Sequence, residues 1–97
     1  MANRLSVDAS TASWQAIAAL FQAVAEVTRS QPVYAIVTVP DHLVAQACKM
    51  VRAIGCDSEI NAIAAGEAGQ MTCDRHVNLA RSPVSSSEEL RDILAST

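Results

Sequence analysis

Val33-Tyr34-Ala35-Ile36-Val37-Thr38-Val39 is the stretch on which the fold turns, a near-continuous β-branched run fenced by Pro32 and Pro40. Such a run is the mark of a strand covered on both faces, and it predicts a central strand. On its N-terminal side, from Ser13 to Arg29, the residues Trp14, Ile17, Leu20, Phe21, Val24, Val27 and Thr28 fall along one side of a helical wheel. Gln15, Gln22, Glu26 and Arg29 fall opposite. Ser10, Thr11 and Ser13 are candidate N-caps, and Gln31-Pro32 ends the helix. On its C-terminal side Pro40-Asp41 opens a second helix, with Asp41 as N-cap or first-turn acid. Leu43, Val44, Ala47, Met50, Val51 and Ile54 form its inner stripe, Lys49 and Arg52 complement its negative end, and Gly55 supplies the left-handed cap.

Further out the signals shorten. Leu5 and Val7 alternate with Arg4, Ser6 and Asp8, the period-two pattern of a half-buried strand. Ser58 to Ala65 reads as a strand around Ile60 and Ile63, and Gly66-Glu67-Ala68-Gly69 as a turn. Met71, Cys73, Val77 and Leu79 alternate with polar neighbours, predicting a strand at least over His76 to Ala80. Ser86, three residues before Glu89, makes a capping box for a last helix carrying Leu90, Ile93 and Leu94. The order β-α-β-α-β-β-α predicts a small single α/β domain over residues 1–97, with three helices on a mixed four-stranded sheet. In that arrangement the turn at Gly66 returns the fourth strand antiparallel beside the third. A ferredoxin-like α+β arrangement is the alternative.

Composition narrows the class of function. The 97 residues are 51% apolar and 3% aromatic, with 18 Ala, 10 Val, 6 Leu and 6 Ile, so the core is built from small pieces. Charged residues make up 18% against a usual value of about 25%, a low figure for a monomer's surface. Net charge −3 argues against the basic footprint of nucleic-acid or anionic-membrane binding. The first eight residues lack the apolar run of a signal peptide, and no stretch approaches the length of a membrane span. Cytoplasmic localisation is therefore expected. Three cysteines at irregular spacing make no disulfide framework, and reduced thiols are expected.

Cys48, Cys56, Cys73 and His76 have the residue types of a zinc site, but only Cys73 and His76 form a short pair. An offset of three on one strand points that pair to opposite faces, so neither metal nor cofactor is expected. The chain has no G-x-S-x-G, P-loop, G-x-G-x-x-G or C-x-x-C, which leaves no catalytic spacing and weighs against an enzyme. Parallel strands would bring their C-terminal ends to one edge, where open α/β sheets bind ligands. That edge gathers Asp8, Ser10, Asp41, His42, Glu67 and Gln70 as candidate ligand-binding residues. Its acids favour a cation, an amine or a polar peptide over a nucleotide.

Residues 9–25 contain no charge at all, and the outer side of the first helix presents Gln15, Ala18, Gln22 and Ala25. Small uncharged residues admit close approach of another helix, so this face is the candidate homo-oligomer interface. The chain thus reads as a non-enzymatic binding or assembly module acting through protein–protein contacts, with room for a small polar ligand at the strand-end edge. The alternative is a minimal hydrolase or transferase using His42 with Asp8 or Asp41.

Overall fold

The computed structural model describes residues 3–56, 58–64, 75–81, 84 and 86–95. Its elements are β1 (Asn3–Asp8), α1 (Trp14–Val27), β2 (Val33–Val39), α2 (Val44–Ala53), β3 (Ile60–Ala64), β4 (Arg75–Asn78) and α3 (Ser87–Ala95). Ser13 starts α1: its backbone is extended and its Oγ accepts from the amide of Ala16 at 3.3 Å, covering one of the donors a helix start leaves open. Ser86 Oγ accepts from the amide of Glu89 at the start of α3, as the capping box requires. After Pro40 the chain makes a 3₁₀ turn, Asp41–Leu43, before α2 begins at Val44, and Asp41 sits in that turn rather than capping the helix with its side chain. Gly55 follows α2 with φ +75°, a conformation that favours glycine.

All four strands are parallel, in the order β3-β2-β1-β4. The expected mixed sheet is corrected on this point. β4 does not return beside β3; it pairs with β1 on the other side of the sheet. Hairpin connections usually take about two to five residues, whereas ten separate Ala64 from Arg75. Parallel pairing also brings Val77 into one row with Val7 and Val37, so the short strand completes the apolar layer. The ferredoxin-like alternative, a β-α-β-β-α-β unit, does not describe this order either. The turn expected at 66–69 and the start of the strand expected from Met71 lie outside the described residues.

The two faces of the sheet differ. Leu5 and Val7 of β1, Val33, Ala35, Val37 and Val39 of β2, Ile60 of β3 and Val77 of β4 point into one buried cluster. Ile17, Leu20, Phe21 and Val24 of α1, Ala47 and Val51 of α2, and Leu90 and Leu94 of α3 complete it. The three helices form one layer, with α1 packed against both α2 and α3. The other face carries the alternate residues, in rows fixed by the parallel register. One row is Asn61, Ile36, Ser6 and His76; the next is Ile63, Thr38, Asp8 and Asn78. Ile36, Thr38, Ser6 and Asp8 are half-buried and His76 is exposed, and among the described residues no helix lies over them. The expectation that β2 is covered on both faces therefore holds for one face only: its burial alternates strictly along Val33–Val39. No helix among the described residues is long and apolar enough to cross a membrane.

Candidate functional site

β1 and β4 are neighbours in space but far apart in sequence, and the strand order reverses direction between them. From β1 the chain steps to β2 and β3 on one side, whereas β4 lies on the other. In open parallel sheets such a reversal parts the loops that follow the two strands and leaves a crevice at their C-terminal ends. Here those ends are Asp8-Ala9-Ser10 and Asn78-Leu79-Ala80. They are stitched together by a backbone hydrogen bond, in which the amide of Leu79 donates to the carbonyl of Asp8 at 2.9 Å.

Both strands finish in the same local device. The amide of Ser10 donates to Asp8 Oδ1 at 3.1 Å, and the amide of Ala80 donates to Asn78 Oδ1 at 3.0 Å. A short side chain that accepts from the backbone two residues on is how Asp and Asn stabilise a turn. Asp8 and Asn78 are also register partners, so the two turns stand side by side. The Ser10 hydroxyl adds a 2.6 Å bond to the same Asp8 oxygen. These bonds from the Ser10 hydroxyl and amide hold the Asp8 carboxyl below the usual aspartate range, with a smaller contribution from the charge of nearby His76; partial burial opposes them. The result is a fixed carboxylate whose Oδ2 has no partner among the described residues. Beside it is the Asn78 amide, whose Nδ2 is likewise unpaired there.

One row inward, His76 Nδ1 lies 3.3 Å from Ser6 Oγ, directly across the β1–β4 pairing. His76 is exposed and Ser6 half-buried. Of the candidates drawn from the sequence, Asp8 and Ser10 are therefore brought together. Asp41 and His42 are exposed in the turn after β2, and no hydrogen bond among the described residues joins either side chain to Asp8. Glu67 and Gln70 lie outside the described residues. Asn78, Ser6 and His76 escaped the sequence reading because their place beside β1 depends on the β1–β4 pairing, which strand periodicity alone does not specify.

On α1, Gln15 and Gln22 are exposed, while Ala18 and Ala25 are half-buried, Ala25 packing against the core. Cys56 is buried and Cys48 half-buried; Cys73 lies outside the described residues, among which no group of His, Cys, Asp and Glu could hold a metal ion. Known family models, curated proteins and solved structures contain no significant match to this chain.

Proposed function

We propose that this chain is a non-enzymatic binding or assembly module that works through protein contacts and recognises a polar group at the C-terminal ends of β1 and β4. The observation that supports this reading is the paired turn at Asp8 and Asn78, which sets a carboxylate oxygen beside an amide N–H₂, both unpaired among the described residues. An acceptor and a donor side by side match the N–H and C=O of a peptide or primary amide. The amide N–H donates to Asp8 Oδ2, and its carbonyl accepts from Asn78 Nδ2. A nucleotide phosphate suits the site poorly, because the Asp8 charge repels it.

Titration of ¹⁵N-labelled protein with N-acetylglycinamide tests the reading. Saturable shifts are expected at the amides of residues 8–10 and 78–80, and they should disappear in Asn78→Ala and in Asp8→Ala. No saturable shift, or shifts unchanged in both variants, would sink it. The assembly half of the reading has a second copy of the chain as partner, meeting through Gln15, Ala18, Gln22 and Ala25. Light scattering at micromolar concentration should then give a multiple of 10.2 kDa. A monomer mass removes that half.

A further inference from the structure

At the opposite, N-terminal end of the sheet an open cleft of about 360 Å³ lies between the end of α1, the start of β2 and the residue that precedes β3. Thr28, Arg29, Ser30, Gln31 and Glu59 line it, together with Pro32 and Val33. The two hydroxyls here share one property. The Thr28 hydroxyl donates to the carbonyl of Ala25 at 2.9 Å and the Ser30 hydroxyl to that of Val27 at 3.2 Å, so each has committed its single proton to the helix end. Toward anything else both hydroxyls can only accept.

Glu59 is an acceptor as well, and an unsatisfied one: its Oε2 is buried without a hydrogen-bond partner among the described residues. Its backbone cannot drift away from the cleft. The Glu59 amide donates to the carbonyl of Cys56 at 3.1 Å, and its carbonyl accepts from the amide of Ala35 at 2.7 Å. The Glu59 side chain lines the cleft, so a donor seated there meets its carboxylate. The negative end of the α1 dipole adds to the same sign of potential. A buried, unpaired acceptor is costly, and a charged donor relieves it best.

We infer that this cleft binds a primary ammonium group, with the Glu59 carboxylate as its counter-ion and the Thr28 and Ser30 hydroxyls as its further acceptors. An ammonium carries three donors and no acceptor, the complement of these three acceptor groups, while the Gln31 side chain can turn its carbonyl oxygen to the same donor. Arg29 is exposed at the same cleft and is the internal competitor for Glu59. The site is separate from the Asp8–Asn78 edge and does not depend on what that edge binds.

The probe is n-butylammonium chloride, followed by ¹⁵N shifts at constant ionic strength against tetramethylammonium chloride, which has the same charge and no N–H. Saturable shifts are expected at the amides of Ser30, Val33 and Glu59 with n-butylammonium only. Glu59→Gln should weaken them at least tenfold, and Arg29→Gln should leave binding intact or strengthen it severalfold. Equal responses to the two cations, or none, would overturn the inference; so would binding that appears only in Arg29→Gln, since the guanidinium would then be the natural occupant. The comparison of the two cations is made on the unaltered chain, so it stands even if Glu59→Gln fails to fold.

Discussion

Two faces of one sheet share the same strands and the same hydrogen bonds, yet they are built to different rules. Toward the helices, β1 and β2 present Leu5, Val7, Ala35 and Val37, all of them buried and all apolar. Away from the helices, the same strands present Ser6, Asp8, Ile36 and Thr38, all half-buried. The second face is itself uneven: β2 and β3 contribute Tyr34, Ile36 and Ile63 beside the polar Thr38 and Asn61, while β1 and β4 contribute the polar Ser6, Asp8, His76 and Asn78. Parallel sheets are usually covered on both sides. The difference teaches that among the described residues the core lies on one face, and that the polar half of the other is not part of it.

The strongest challenge to that division is a pair of truncations at adjacent depths. Leu5→Ala removes a side chain that is 1% exposed, and it should cost about 2–5 kcal/mol in urea unfolding. Ile36→Ala removes a half-buried one, and it should cost less than about 1 kcal/mol. Equal costs would mean that the second face is covered in solution and that the contrast is false. A smaller effect sharpens the account of the helix layer. Ser13→Ala deletes the cap of α1 and should lower stability by about 1 kcal/mol, whereas Ser13→Asp should restore most of it.

The smallest effect is on the polar half and depends on pH. The folded state holds Asp8 below the usual aspartate range, chiefly through Ser10, so the stabilisation is complete above the unfolded-state value. It drains away as pH falls through the lower folded value. Ser10→Ala should therefore be less stable than the parent chain at neutral pH, and the gap should close as acid is added toward about pH 2. Urea midpoints across that range check the sign: a gap that widens in acid would show that Ser10 does not act through the Asp8 charge.

Much of this arrangement is written in local pattern. The 3.6-residue stripe of α1, the β-branched run of β2 and the alternation around Leu5 and Val7 each specify an element and the side it buries. Ser13, Ser86 and Gly55 mark the ends of helices by chemistry that acts within a turn. The neighbours of β4 are a different matter. Val77 and Leu79 state that one side of the strand is buried, and they fit equally well beside β3 or beside β1. Only the packing of the whole sheet chooses, and the turn-forming glycines at 66 and 69 suggested the wrong partner. The candidate site inherits that limit. Asp8 and Ser10 are legible as a strand end followed by a turn, but Asn78 becomes relevant only once β4 is placed. Strict burial on one face of β2 was hidden for a related reason, because Ile36 and Thr38 favour a strand whether or not anything covers them.

The position of β4 also sets an order of events. β1 pairs with β2 after a connection of 24 residues, Ala9 to Pro32, whereas its other edge waits for a strand that begins at Arg75. Closing so long a loop is slow relative to forming neighbouring strand–helix–strand units, so β1 through β3 are expected to assemble first. During that interval the second edge of β1 is unpaired, with Leu5 and Val7 at its side and its backbone open to any passing strand. The last strand to join would thus be the one that covers this edge of β1, and it completes the Asp8–Asn78 pair in the same step.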